Sequence, residues 1–177
     1  MAAEPITTPN RVQTLRLAPF DARYAERVVS WVCGAREAYW LAPRTKPPLT
    51  ADKVRAWASP GRNPLMLVAP GQSGPLAYGE LNVLNEKRRD YWLGHLIVDP
   101  RQRGRGLGRR LTELLLLRAF RRHGARHVSL VVFPENEPAV ACYRAAGMHD
   151  DGYETHYFAS YRRRERLLRL AATRIPS

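Results

Sequence analysis

Residues 96–111, which read LIVDPRQRGRGLGRRL, constrain the fold more than any other stretch of this chain. An apolar run, an Asp-Pro pair, three glycines within five positions and a leucine-rich run follow one another, which predicts a strand, a tight loop and a helix. The first turn of a helix has backbone N–H groups without partners and carries partial positive charge, and glycines allow close approach to it. The stretch therefore predicts an anion-binding loop, surrounded by the charges of Arg103, Arg105, Arg109 and Arg110.

The spacing of the glycines distinguishes this loop from two common phosphate-binding loops. A dinucleotide-binding loop has the pattern G-x-G-x-x-G and an acidic residue about 20 positions later, whereas this loop reads G-x-G-x-G and is followed by arginines and histidines. A nucleoside-triphosphate loop has Lys-Ser or Lys-Thr after its last glycine, where this chain has Arg109 and Arg110. Neither pattern fits.

Two motifs resemble those of the Gcn5-related N-acetyltransferase (GNAT) superfamily. The stretch RGRGLG at residues 103–108 resembles its R/Q-x-x-G-x-G/A signature and follows a strand that ends in Val-Asp-Pro. The stretch NEPAVACYRAAGM at residues 136–148 is similar to the second family segment, N-x(6)-Y-x(3)-G-hydrophobic. The motifs have the family's order and separation, and the resemblance covers residues 76–158 well and the N-terminal third loosely.

The resemblance implies direct transfer of an acetyl group from acetyl-CoA to a primary amine. Tyr143 corresponds to the family's tyrosine that protonates the departing thiolate, and a phenol with a pKa near 10 is neutral at cellular pH and able to donate. Asn136 matches a position that contacts the coenzyme, and alone it would be a helix N-cap. The coenzyme-binding residues that the resemblance implies are Leu96, Ile97, Val98, Arg103, Gly104, Arg105, Gly106, Leu107, Gly108, Arg109, Asn136 and Tyr143.

The resemblance does not identify the general base. Many family members place a glutamate on the strand that enters the loop, whereas this strand reads YWLGHL and has none. Two residues are candidates. His95 carries an imidazole, a side chain that can take up a proton, and lies just before the stretch expected to bind the pantetheine arm. Glu80, on the preceding strand, would act directly or through water.

The amine acceptor would lie against the N-terminal helices, where Tyr39, Trp40 and Trp57 are candidates for its pocket and, alternatively, core residues. A small molecule, a protein N-terminus or a lysine would serve as acceptor, and a longer acyl-CoA is an alternative donor to acetyl-CoA. The alternative function is a non-catalytic protein of this fold that binds nucleic acid or ribosomes through its positive charge.

The order of predicted elements indicates an α/β fold with helices on both faces of a mixed sheet, which the resemblance makes GNAT-type and mostly antiparallel. Asp21 and Thr50 are predicted N-caps. Residues 39–48, with three prolines, are expected to form an irregular loop. We predict strands over 14–17, 65–69, 76–84, 91–98, 127–133 and 152–161, and helices over 22–33, from 51, 107–123 and 138–146.

Three parts of the chain are expected: a disordered leader at 1–11, a single N-acetyltransferase domain at 12–161 and a basic amphipathic segment at 162–177. In the last part, arginines alternate with leucines and alanines. We interpret it as a terminal helix that packs its leucines on the domain or on a partner subunit. The second arrangement would make the protein a homodimer. The alternative is binding to nucleic acid or to an anionic surface.

Composition adds few constraints. With 177 residues, 20.2 kDa and 45% hydrophobic residues, the chain has enough apolar material for one core. Lys+Arg 29 against Asp+Glu 16 gives a net charge of +13, which attracts anions in general and makes a nucleic acid a partner to consider but not the favoured one. We expect a cytoplasmic protein without a membrane partner, since we find neither a signal peptide nor a membrane-spanning run. Cys33 and Cys142 form no ligand cluster, so no metal is expected.

Overall fold

A seven-stranded sheet in the order β1-β2-β3-β4-β5-β7-β6 organises the computed structural model, which describes residues 14–174. Every neighbouring pair of strands is antiparallel except β4 and β5, which run parallel. This confirms the mixed, mostly antiparallel sheet. The strands are β1 Arg16–Pro19, β2 Pro64–Val68, β3 Ala77–Asn85, β4 Asp90–Val98, β5 His127–Val132, β6 His149–Phe158 and β7 Arg163–Thr173.

Within residues 14–174 five α-helices accompany the sheet, and side chains cap several helical segments at their starts, among them the three predicted from the sequence. Asp21 accepts a hydrogen bond from the Arg23 amide at a short 3-10 turn, Thr50 from the Lys53 amide, and Asn136 from the Ala139 amide. The predicted caps are therefore confirmed. The helices are α1 Ala25–Ser30, α2 Ala35–Leu41, α3 Ala51–Ala56, α4 Leu107–Arg122 and α5 Glu137–Ala145.

Alternation along the strands divides the core between the two faces of the sheet. On β2, Leu65 and Leu67 join the cluster that contains residues of α4 and α5, whereas Met66 joins the cluster that contains residues of α1 and α3. Successive strand residues point to opposite faces, so these helix groups cover opposite sides. The expectation of helices on both faces is confirmed.

The interpretation of the C-terminal segment as a helix is wrong. Residues 163–173 form β7, which lies between β5 and β6 and pairs with both of them. Leu168, Leu170 and Ala172 join the α4 side of the core, and Leu167 joins a cluster on the other side. A strand with neighbours on both edges and burial on both faces has a nearly continuous apolar run, which periodicity alone does not distinguish from a buried helix.

The N-terminal helices differ from the prediction in their boundaries. In place of one helix over 22–33, the chain forms a 3-10 turn at 22–24 and then α1, which ends at Ser30. Residues 39–41, expected in an irregular loop, belong to α2, because the first of the prolines comes only at Pro43. The leader predicted for 1–11 lies outside the described residues.

Two irregularities in β4 prepare the site. Tyr78 pairs with Ile97 and Glu80 with Gly94, so one residue of β3 faces the two residues His95 and Leu96, which is a β-bulge. The φ of His95 is +48°, in the left-handed region. At its start, β4 pairs with β5 only over residues 90–92, and after Trp92 the two strands separate.

Candidate active site

The separation of β4 and β5 opens a cleft of about 840 Å³, at the upper end of the range of about 300–1,000 Å³ for small-molecule sites. Residues 93–98 of β4 line one wall, and residues 130–133, in β5 and just beyond it, line the other. The glycine loop and α5 close one end. Backbone groups on the facing edges of β4 and β5 have no strand partner there, so they are available to a ligand that contains amides.

The glycine loop presents backbone amides at the start of α4. Gly104 and Gly106 have φ values of +75° and +74°, and a residue with a side chain would be strained in this conformation. Among the described residues, the first amide of α4 that donates to a backbone carbonyl is that of Arg110, which bonds to Gly106 at 3.0 Å. The preceding amides, at residues 107–109, have no side-chain cap either. This arrangement fits a pyrophosphate such as that of coenzyme A.

The arginine side chains of the loop are engaged with the protein rather than free around the anion site. Arg103 forms a 2.7 Å ion pair with Glu37 of α2, and its guanidinium also donates to the carbonyls of Trp31 and Val98. Arg105 donates to Gln102, and Arg109 and Arg110 share Glu113. The side chain of Arg103 therefore holds the N-terminal helices against the loop.

Most of the predicted coenzyme residues meet in this cleft. Leu96, Ile97, Val98, Leu107 and Arg109 line it, as do Arg103, Gly104, Gly106, Gly108, Asn136 and Tyr143. Arg105 is exposed and outside the lining, so only its backbone remains a candidate for coenzyme binding.

Tyr143 lies on α5 with its ring packed against the α4 side of the core. Burial raises the pKa of this phenol above its ordinary value, and the neighbouring Cys142 raises it further. Tyr143 is therefore neutral across the physiological range and carries a proton that it can donate.

Glu80 and His95, predicted as separate candidates for the base, form one pair. The His95 Nδ1 lies 2.6 Å from Glu80 Oε1. Glu80 is fully buried and also accepts hydrogen bonds from the Tyr78 hydroxyl at 3.1 Å and from Asn82 Nδ2 at 2.8 Å. Burial raises the pKa of Glu80, but these three donors and the charge of His95 outweigh it, so the pKa lies below its ordinary value.

The contact with Glu80 fixes the tautomer of His95. An ionised carboxylate only accepts, so Nδ1 of His95 carries the hydrogen and Nε2 of the neutral ring is free to take a proton. The indole of Trp57 stacks on the imidazole with ring centroids 3.9 Å apart and an interplanar angle of 8°. His95 lines the cleft, whereas Glu80 reaches it only through the imidazole.

Of the three aromatic residues predicted for the acceptor pocket, Trp40 and Trp57 line the cleft. Tyr39 does not, which corrects that prediction. Its ring is buried against Phe133 and Phe158, and its hydroxyl donates to Glu165 Oε1 at 2.9 Å. Burial and this carboxylate raise the pKa of Tyr39 to about 12. Tyr39 therefore joins α2 to the β6–β7 hairpin and packs against Phe133 and Phe158, which line the cleft.

The same end of the cleft contains residues that the sequence did not single out: Arg44, Arg62, Trp92, His156 and Phe158. The Arg62 guanidinium lies 4.9 Å from the centroid of the Trp92 ring, and that of Arg44 lies 5.4 Å from the centroid of Phe158. No local pattern marks these residues, because they come from separate segments that only the folded chain brings together.

Within residues 14–174, no group of three or more His, Cys, Asp or Glu side chains is placed to hold a metal ion. No helix in that range combines the length and the apolar character needed to cross a membrane.

A sequence model described as the acetyltransferase (GNAT) family matches residues 26–148. Over 78 residues, 44% of this chain, the sequence is 40% identical to mycothiol acetyltransferase of Geodermatophilus obscurus, of which the match covers 21%. The chain spans about a fifth of the length of the curated relatives it matches.

Solved structures share the fold at low sequence identity. Spermidine N-acetyltransferase from Vibrio cholerae, in complex with CoA and spermine, superimposes with a TM-score of 0.73 and 18% identity, over 90% of this chain and 95% of that one. Aminoglycoside acetyltransferase AAC(6')-Ib, in complex with coenzyme A and kanamycin, gives 0.70 and 18% over 91% and 95%. At this identity the likeness concerns the fold alone.

Proposed function

The chain belongs to the acetyltransferase (GNAT) family, and from this premise we propose that it is an N-acetyltransferase that transfers an acetyl group from acetyl-CoA to a primary amine. One observation carries the proposal: a helix start with unpaired amides and an imidazole held by a buried carboxylate face the same cleft. The bound coenzyme and amines in the solved relatives support it.

The coenzyme would be held mainly by backbone groups. The amides of residues 104–109 would bind its pyrophosphate, and the open edge of β4 at Leu96, Ile97 and Val98 would pair with its amide-containing arm. The Asn136 side chain lies at the same end of the cleft. When bound, acetyl-CoA supplies the acetyl group as a thioester. The loop fits this group, because Gly104 and Gly106 leave open space next to the unpaired amides at the start of α4.

His95 would act as the general base. Its Nε2 takes a proton from the attacking amine, and the ionised Glu80 stabilises the imidazolium that results. Trp57 keeps the ring in place by stacking on it. Glu80 acts through His95 and is therefore a positioning residue.

Tyr143 would act as the general acid. A carbon–nitrogen bond forms to the amine as the carbon–sulfur bond breaks, and the departing sulfur takes the phenolic proton of Tyr143. The raised pKa keeps that proton in place until thiolate charge appears.

Two measurements test the function. Calorimetry should show that the protein binds acetyl-CoA, and a thiol reagent should detect free coenzyme A when a primary amine is added. We expect Tyr143→Phe to lower kcat roughly 100-fold, within the range for a general acid, with little change in coenzyme affinity. Tyr157→Phe, an exposed tyrosine on β6, is the matched control.

Absence of acetyl-CoA binding at millimolar concentration would refute the proposed function. Unchanged turnover in Tyr143→Phe would remove only this residue from the acid role.

A further inference from the structure

The cleft carries an excess of positive charge at the end away from the glycine loop. Among residues 14–174, its lining includes four arginines, Arg44, Arg62, Arg103 and Arg109, and one carboxylate, Glu37. Arg103 and Arg109 already have carboxylate partners. Arg44 and Arg62 are the cations at the end that Trp40, Trp57 and His95 occupy.

Three carboxylates near this end have partners within the described part of the chain. Glu37 accepts from Arg103 and from the Cys33 amide. Glu80 is buried behind His95. Glu154 lies between His156 Nε2 at 2.9 Å and Arg169 Nη1 at 2.6 Å. A polycationic amine would therefore find none of these three carboxylates free.

The two arginines, in contrast, retain donor capacity. Among the described residues Arg44 has no carboxylate partner, and its polar side-chain contact is His156 Nδ1 at 3.0 Å. Arg62 reaches Glu80 Oε2 only at 3.7 Å, and its side chain is 42% exposed. A guanidinium has five N–H donors, so these contacts leave both groups able to bind a further anion.

The aromatic rings position the two guanidinium groups. Arg62 lies over Trp92 and Arg44 over Phe158, so cations already lie over these two rings. A guanidinium stacked on a ring keeps its edge free for a bidentate contact with an oxyanion. Trp40 lines the cleft beside them and offers apolar surface.

We propose that the acceptor is an amine that also carries an oxyanion, a carboxylate or a phosphate, next to an apolar body. The anion binds Arg44 and Arg62, and the apolar body packs among the tryptophans. This inference rests on the proposed function, since it names the acceptor class for the same site. It separates this chain from the structural relatives whose bound amines are spermine and kanamycin.

The test uses a matched series of amines with acetyl-CoA and detection of free thiol: L-phenylalanine, its phosphonate analogue, L-phenylalaninamide, phenethylamine, spermidine and kanamycin. We expect kcat/KM for the carboxylate or the phosphonate to exceed that for the amide by about tenfold or more, as a charge-assisted contact supplies. The better of the two identifies the oxyanion. Equal rates for the acid and the amide, or a preference for the polycations, would overturn the proposal.

Variants connect that preference to the two arginines. Arg44→Gln and Arg62→Gln should each lower kcat/KM for the anionic amine by about tenfold and lower kcat/KM for phenethylamine by a clearly smaller factor. Arg88→Gln, in the exposed β3–β4 turn, is the matched control. Equal effects on anionic and neutral amines would contradict the proposal.

A binding measurement keeps this inference separate from the proposed function. With coenzyme A present, calorimetry should show that N-acetylphenylalanine binds at least about tenfold more tightly than N-acetylphenylalaninamide. Acetylation of neutral amines without any preference for an anion would refute the acceptor class and leave the enzyme. A preference for the anion without acetyl transfer to any amine would refute the enzyme and leave an anion-selective cleft.

Discussion

Glu80 is a fully buried carboxylate whose oxygens accept hydrogen bonds from Tyr78, Asn82 and His95. All three partners donate, so a carboxylate with two accepting oxygens matches them. A glutamine amide does not, because one of its two polar atoms is an NH₂ donor. Glu80→Gln would place its NH₂ group against either His95 or Asn82. In the first case the imidazole is forced into the wrong tautomer, and in the second a buried donor is left unpaired.

We therefore expect Glu80→Gln to lower kcat by about a hundredfold or more and to leave the dissociation constant of acetyl-CoA nearly unchanged. The pH profile of kcat should also shift, since the charge that stabilises the imidazolium is gone. Glu86→Gln, in the exposed β3–β4 turn, is the control. An unaltered kcat and pH profile would show that Glu80 is only structural.

The two candidate bases illustrate what sequence reasoning can find at the residue scale. Both residue types are identified by chemistry alone, since each can take a proton. Their contact is not predictable, because it depends on a bulge that sets His95 and Leu96 against one residue of β3, next to Glu80. Arg44 and Arg62 are harder still, since neither has a motif and their role depends on rings from β4 and β6.

At the scale of elements, the bulge in β4 holds His95 in the left-handed region, with φ at +48°. This conformation costs a non-glycine residue about 1–2 kcal/mol. His95→Gly and His95→Ala both remove the imidazole from Glu80, and they differ in the backbone. We expect the glycine variant to be about 1 kcal/mol more stable than the alanine variant.

Urea unfolding of the two variants measures this difference, and both should lose most acetyl transfer. If the alanine variant were as stable as the glycine variant or more stable, the backbone would have to relax out of the bulge. Ser59→Gly against Ser59→Ala, in an exposed loop, gives the size of the ordinary difference between the two residues.

The last strand is the second element with consequences. The segment RERLLRLAAT has leucines and arginines at spacings that also suit a helix, and most of its residues favour helices. Pairing with β5 and β6 overrides that preference, and the pairing with β5 joins residues that are distant along the chain. The glycine loop and α4 were predictable because a strand, a turn and a helix in succession depend on local chemistry.

Removing residues 163–177 should abolish folding. The three buried leucines of β7 alone contribute roughly 5–9 kcal/mol, close to the total stability of about 5–15 kcal/mol of a typical domain. We expect the shortened chain to be insoluble or to lack a cooperative melting transition. A chain that ends at Arg174 keeps the whole strand and is the control. A soluble, cooperatively melting chain of residues 1–162 would show that β7 is dispensable.

At the scale of the whole molecule, ionised carboxylates oppose a large positive charge. The hydrogen bond and charge of Arg101 hold the pKa of Asp99 below its ordinary value, and Arg109 and Arg110 do the same for Glu113. The pKa of Glu80 is also lowered. A carboxyl whose pKa is lower in the folded state adds stability above its unfolded pKa and loses it as the pH falls through the folded value.

The free energy of unfolding should therefore change little between pH of about 7 and pH of about 9 and fall steeply below pH of about 4, where the unfolded carboxyls take up protons first. Loss of these negative charges also exposes the repulsion among the arginines, so added salt should recover part of the stability at low pH. Urea unfolding at several pH values measures this. A midpoint that stays constant from neutral pH to pH of about 3 would contradict it.

The separation of β4 and β5 leaves a gap in the middle of the sheet, and a ligand bound in that gap contacts both strands and stabilises the folded state. By mass action, a ligand present at a hundred times its dissociation constant adds about 2.7 kcal/mol to the stability of the folded state. That increment is a sizeable part of what keeps a domain folded. With acetyl-CoA as the proposed ligand, resistance of the protein to proteolysis should therefore rise with the concentration of acetyl-CoA.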